Sequence, residues 1–137
     1  MLKKFFQNLF SIDESAGIPQ KSPAYLDALT QNYRSQLETK YPDYDFMPLI
    51  IPELGKNYTL KIRKIEWSTF VGERIHEGQA FAQFDMGGSI LELGAPFNGY
   101  LSYVHDQEAG YLPGDLYAVI CKQEFVLLNL HGIQKLT

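Results

Sequence analysis

The fold is decided by the stretch VGERIHEGQAFAQFDMGGSILELGAPFNGYL, residues 71–101. Short apolar segments follow one another here, AFAQFD (80–85) and SILELG (89–94), and GYLSYV (99–104) comes next. Brief runs of aromatic and aliphatic residues between glycine-containing turns are typical of β-strands. YTLKIRKIEW (58–67) precedes them and LYAVI (116–120) follows. The sequence therefore predicts a β domain over residues 57–122.

Two parts of this domain resemble each other. Residues 72–84 (GERIHEGQAFAQF) align with residues 108–120 (EAGYLPGDLYAVI) after a shift of 36 positions, which pairs Gly78 with Gly114 and Phe81 with Tyr117. A repeat of this length implies two copies of one small β unit. Neither copy can bury its apolar face alone, so we expect the copies to pack as facing sheets.

The order of these residues resembles the biotinyl/lipoyl-domain family, the carrier domains of carboxylases and 2-oxoacid dehydrogenases. The resemblance covers residues 57–121 and implies a mainly β fold, a flattened barrel or sandwich of two four-stranded antiparallel sheets with approximate twofold symmetry. The positions that carry it are Gly72, Glu73, Ile75, Gly78, Gln79, Phe81, Ala95, Pro96, Gly99 and Gly114.

In that family a lysine in a hairpin turn carries biotin or lipoate through an amide bond. Alignment through Gly78 and Ala95 puts the turn on Met86, Gly87, Gly88 and Ser89, with Gly88 at the lysine position. Glycine has no amine, so the resemblance implies a member without a cofactor at this position. A Gly-Gly pair suits a tight hairpin turn, which often requires positive φ at both central residues.

Residues 1–56 are predicted to form an N-terminal helical extension and linker. The helix at the start has one apolar face by its spacing, formed by Leu2, Phe5, Phe6, Leu9 and Phe10. This face is expected to dock on its own domain, a second copy, a protein partner or a membrane surface. A second helix begins after Ser22 and ends near Tyr41, before Pro42.

The linker that follows, DYDFMPLIIPELG, is expected to be extended, because Pro48 and Pro52 rule out a helix and a central strand there. At the other end, residues 123–137 are expected to form a C-terminal strand or tail.

The charge, the cysteine content and the missing motifs argue against several classes of function. The formal net charge of −4 gives no electrostatic basis for binding nucleic acid. Cys121 is the only cysteine and lies in an apolar run, so it is expected to be buried. The three histidines, His76, His105 and His131, lack metal-ligand spacing, and no phosphate-binding loop or nucleophile motif is present.

We therefore expect a cytoplasmic, non-enzymatic interaction or adaptor module that binds a protein partner of unknown identity or forms a homo-oligomer. Two alternatives stay open. One is a pseudo-carrier subunit that binds a carboxylase, a 2-oxoacid dehydrogenase or a glycine-cleavage-type complex. The other is a peripheral membrane adaptor related to membrane-fusion-protein barrels, with residues 2–10 on the bilayer surface.

Overall fold

The computed structural model describes residues 22–53, 62–128 and 130. Within these ranges the chain forms one helix and seven strands: α1 (Pro23–Lys40), β1 (Phe46–Ile50), β2 (Lys64–Trp67), β3 (Arg74–Ile75), β4 (Ala80–Asp85), β5 (Ile90–Gly94), β6 (Gly99–Val104) and β7 (Leu116–Cys121). The strands make a four-stranded sheet in the order β1-β7-β6-β3 and a three-stranded sheet in the order β2-β4-β5. All strand pairs are antiparallel. The predicted mainly β fold with an N-terminal helix is confirmed.

The helix α1 begins and ends where the sequence predicts. The Ser22 hydroxyl oxygen accepts a hydrogen bond from the backbone N–H of Tyr25 at 3.0 Å, which caps the first turn. Leu29, Tyr33 and Leu37 lie four residues apart and are buried on one face. The helix ends before Pro42, with the N–H of Tyr41 bonded to the carbonyl of Leu37 at 2.8 Å.

The described residues form three layers: α1, the four-stranded sheet and the three-stranded sheet. Side chains alternate along β7, so Ile120 packs between the two sheets while Val119 and Cys121 pack toward α1 and meet Leu37. Cys121 is buried, as expected. The hydrogen bonds of the two sheets stay separate among the named strands, so the fold is a sandwich and not a closed barrel.

The internal repeat is visible in the hydrogen bonds of its turns. Gln79 N donates to His76 O at 2.9 Å, and 36 positions later Asp115 N donates to Leu112 O at 3.0 Å. The side chains repeat too, since Gln79 Oε1 accepts from His76 N at 3.0 Å and Asp115 Oδ2 accepts from Leu112 N at 2.9 Å. The paired glycines Gly78 and Gly114 both have positive φ, +86° and +98°.

The second sheet has three strands, and the prediction of four is wrong at this point. The place of a fourth strand is taken by a single antiparallel bridge between Ile62 and Tyr111, with hydrogen bonds of 3.1 and 2.8 Å. Gly110 has positive φ, and Pro113 has no N–H to donate. These two residues lie close to Tyr111 in the chain, and no further pair with this segment is present among the residues that the structure describes.

The β domain also begins earlier than the predicted boundary at residue 57. β1 lies within the predicted linker and pairs with β7 through Phe46 and Cys121. β1 is an edge strand, so Pro48 agrees with the expectation that no central strand forms here. After Cys121, residues 122–128 and 130 contain no strand, although Leu128 is buried against the α1 side of the four-stranded sheet.

Candidate functional site

The hairpin between β4 and β5 carries the predicted turn. Asp85 pairs with Ile90, and Met86 N donates to Ser89 O at 2.9 Å, which leaves Gly87 and Gly88 at the tip. A second hydrogen bond holds the turn, because Gly87 N donates to the Asp85 carboxylate at 2.9 Å. The buried Met86 side chain anchors the turn in the core between the sheets. The turn is therefore rigidly held at its base and exposed at its tip.

The two tip glycines have different roles. Gly87 has a φ of +87°, whereas Gly88 is not in the left-handed region, which is the pattern of a type II′ turn. The expectation of positive φ at both residues is thus wrong for Gly88, because a type II′ turn requires it only at the first central position. An added Cβ on Gly88 would meet no atom within 4 Å. Neither space nor backbone conformation requires glycine at this position.

The turn residues do not fit a covalently attached biotin or lipoate, since the amide bond needs a primary amine. Arg63 lies beside the tip, with its Cδ 3.1 Å from where a Cβ of Gly87 would be, but its side chain ends in a guanidinium and not in a primary amine. Lys64 pairs with Asp85 at the base of the hairpin. Its ammonium lies 2.8 Å from a carboxylate oxygen of Glu66, and this hydrogen bond raises the pKa of Lys64 and keeps it charged.

Apolar side chains lie directly after the turn. Ile90 is 66% exposed and Leu91 is 39% exposed, although both belong to a strand. Sequence reasoning did not single them out, because SILELG reads as a strand with one buried face. Their exposure follows from the position of β5 at the edge of the three-stranded sheet.

A second candidate locus is a pocket of about 180 Å³ that involves α1, β7 and the loop after β6. Leu116 and Leu130 form its apolar part, and its polar part is formed by Tyr33, Tyr103, His105, Gln107 and Asp115.

A chain of hydrogen bonds connects the polar side chains of the pocket. The Tyr103 hydroxyl lies 2.8 Å from His105 Nδ1, and His105 Nε2 lies 3.1 Å from Gln107 Oε1. The Gln107 amide nitrogen donates to the carbonyl of Gly110 and to Asp115 Oδ2, the latter at 3.4 Å. Because Gln107 Oε1 can only accept, the proton in its contact lies on His105 Nε2, and Nδ1 is placed to accept from the Tyr103 hydroxyl.

The phenols of the pocket are held in their protonated form. Burial raises the pKa of Tyr103. Burial also raises the pKa of Tyr33, with the negative charge of Asp115 as the next cause. Both phenols are therefore neutral near pH 7, and the Tyr103 hydroxyl is placed to donate to His105 Nδ1.

The hydrogen bonds of the pocket hold the loop between β6 and β7 in place. The two side-chain partners of His105 in the hydrogen-bond chain are a phenol and an amide. The Tyr111 hydroxyl donates to the carbonyl of His105 at 2.6 Å, and Asp115 closes the turn at Leu112. The spacing of Tyr103, His105 and Gln107 at alternate positions is the sequence signal that could have identified this cluster.

The predicted site residues have different outcomes. Met86, Gly87, Gly88 and Ser89 form the predicted turn, whereas Leu2, Phe5, Phe6, Leu9 and Phe10 lie outside the described residues. His76 is exposed on its turn, and His131 also lies outside the described part of the chain. Among residues 22–53, 62–128 and 130, no three His, Cys, Asp or Glu side chains are grouped as metal ligands would be.

No protein-family model matches the chain, and no curated protein matches it either. Within the described segments, no helix combines the length and the apolar character needed to cross a membrane.

Proposed function

We propose that this protein is a non-enzymatic interaction module with a biotinyl/lipoyl-like barrel-sandwich fold, whose hairpin is recognised without being modified at Gly88. The proposal includes a protein partner and a cytoplasmic location. The observation that carries it is the turn itself: Gly88 lies at the exposed tip of a well-anchored hairpin, where a carrier domain would have its lysine.

The repeated turns support the fold assignment. The same backbone and side-chain hydrogen bonds close the turn at Gln79 and the turn at Asp115, as expected for two copies related by approximate twofold symmetry. The bridge between Ile62 and Tyr111 supports it as well, because it lies beside β2, where the fourth strand of the second sheet is expected.

The absence of a modifiable amine supports recognition by shape. Space around Gly88 is open, so the fold itself would accept a lysine there. A glycine at this position therefore removes the carrier chemistry and leaves the hairpin geometry intact. What is left for a partner is the exposed tip and the apolar side chains that follow it, Ile90 and Leu91.

The test restores the missing amine. The wild-type chain, Gly88→Lys and Ser89→Lys are each co-expressed with a biotin ligase or a lipoate ligase, and their intact masses are measured. We expect the wild-type mass to equal the sequence mass and Gly88→Lys to gain one biotinyl or lipoyl group. Ser89→Lys is the matched control, because its amine is displaced by one residue along the turn and should remain unmodified.

Two results would contradict the proposal. Modification of the wild-type chain would mean that another amine serves as the attachment site. A folded Gly88→Lys that gains no mass with either ligase would mean that the hairpin is not presented as in a carrier domain. Fluorescence of the single tryptophan, Trp67, which packs near Phe81 and Tyr117, reports whether each variant is folded.

A further inference from the structure

Within the described residues, β5 leaves one edge of the three-stranded sheet unpaired, and β2, at the other edge, follows the bridge between Ile62 and Tyr111. β5 is the outer strand of the three-stranded sheet and pairs only with β4 among the named strands. Edge strands are ready to pair with another chain unless they are blocked. The edges of the four-stranded sheet are protected in two usual ways: β1 contains Pro48, and β3 is only two residues long.

Two hydrogen-bonded positions fix which backbone groups of β5 point outward. Ser89 O accepts from Met86 N at one end, and Ala95 bonds to Gly78 and Gln79 through both its carbonyl and its N–H at the other. Antiparallel pairing alternates along the strand, so the odd-numbered residues from 89 to 95 face β4. The N–H and C=O groups of Ile90, Glu92 and Gly94 therefore point away from β4, toward the open edge of the sheet.

The side chains along this edge define what could pair with it. The register brings Ile90 into line with Asp85 and Lys64, and Glu92 into line with Gln83 and Glu66.

The two glutamates that share a row, Glu66 and Glu92, differ in their ion pairing. Glu66 already has Lys64 as its ion-pair partner, whereas Glu92 takes part in no ion pair within the described residues. The exposed carboxylate of Glu92 therefore shares one face of β5 with the exposed Ile90, while the exposed Leu91 and the half-buried Leu93 lie on the opposite face, before and after Glu92 in the chain.

We propose that the free edge of β5 binds an extended segment of a partner protein as an added strand, and that this segment places a lysine or arginine opposite Glu92 with apolar residues on either side. The proposal rests on the interaction function proposed above and names its surface. Backbone hydrogen bonds from Ile90, Glu92 and Gly94 would provide affinity, and contacts with the alternating side chains of β5 would provide specificity.

Charge favours such a partner over a second copy of this chain. Antiparallel pairing of β5 with itself brings Glu92 opposite or diagonally close to the Glu92 of the other copy, and like charges in cross-strand positions are unfavourable. A strand of five residues also buries far less than the roughly 1,200 Å² of a stable dimer.

The experiment uses the full ¹⁵N-labelled chain and the peptide acetyl-Thr-Val-Lys-Val-Val-Thr-amide as the probe. Amide hydrogen exchange and chemical shifts are followed by NMR with and without the peptide. We expect the amides of Ile90, Glu92 and Gly94 to exchange rapidly in the free protein and to become protected on binding. The amides of Leu91 and Leu93, already bonded to β4, should stay protected throughout.

A charge swap provides the matched control. A peptide with glutamate in place of lysine is expected to bind the wild-type chain roughly fivefold more weakly, and Glu92→Lys should reverse this preference. Equal binding of both peptides by both proteins would overturn the charge selection.

Three results would overturn the surface itself. The first is that no amide shifts with either peptide, and the second is that the shifts are confined to residues outside β5. The third is that protection of the Ile90 and Glu92 amides rises with protein concentration. That third result would show that a second copy of the chain occupies the edge. Shifts at Gly87 and Gly88 alone would contradict binding at the β5 edge but would still agree with an interaction function. The carrier-like presentation of the hairpin is tested separately by the Gly88→Lys experiment.

Discussion

Gly99→Ala is expected to be one of the most damaging single-methyl changes in this chain. Gly99 is buried at the start of β6, in the segment Ala95-Pro96-Phe97-Asn98-Gly99, and pairs with Ile75 of β3. An added Cβ would lie 2.6 Å from the carbonyl oxygen of Cys121 and 2.6 Å from Cγ2 of Ile120. Both distances are about 1 Å shorter than an ordinary contact.

The neighbours cannot move away easily, which sets the magnitude. The carbonyl of Cys121 belongs to β7, whose Cys121 pairs with Phe46 on one side and Tyr100 on the other. Overpacking of a core costs about 1–3 kcal/mol, and a weakened sheet hydrogen bond adds about 1 kcal/mol. The lower entropy of the unfolded alanine chain offsets about 0.5 kcal/mol. We therefore expect Gly99→Ala to lower the free energy of unfolding by about 2.5 kcal/mol.

The assay is urea unfolding followed by Trp67 fluorescence, with Gly88→Ala as the matched control. Gly88 has open space around its Cβ position and no left-handed φ, so this control should change the free energy of unfolding by less than about 0.5 kcal/mol or stabilise slightly. A Gly99→Ala protein within about 0.5 kcal/mol of wild type would refute the close contact between β6 and β7.

Other residues give further tests. Ser22→Ala removes the cap on Tyr25 N and should cost about 1 kcal/mol in urea unfolding, whereas the exposed mid-helix Ser35→Ala should cost nothing; equal effects would contradict the cap. Burial raises the pKa of Tyr117, so its contribution to stability is fully present below the unfolded pKa of about 10 and is lost as pH rises through the folded value. Tyr117→Phe should therefore lose less stability than wild type between pH 9 and pH 11, and an unchanged alkaline profile in urea unfolding would count against this account.

Much of the local structure could be predicted from the sequence. Ser22, Pro23 and the four-residue spacing of Leu29, Tyr33 and Leu37 are sufficient to place α1. The hairpin at Gly87 was also predictable, because glycine between two apolar runs favours a tight turn. These features depend on residues that are near one another in the chain.

Features that depend on distant residues were not predictable in the same way. β1 joins the sheet because β7 offers it a pairing edge 70 residues later, and nothing in PLIIPELG distinguishes that outcome from a linker. In the described part of the chain, the expected fourth strand of the second sheet is represented by one bridge at Tyr111, and its partner Ile62 is far away in sequence.

By itself, the sequence determined that the turn at Gly88 has no amine, since residue identity alone decides whether a side chain can be acylated. It also determined the repeat that pairs Gly78 with Gly114. Tertiary structure alone decided that Gly99 must be glycine and that β5 is left at an edge, because both follow from which strands are adjacent. Adjacency between distant strands is fixed by the packing of the whole core, which no short segment encodes.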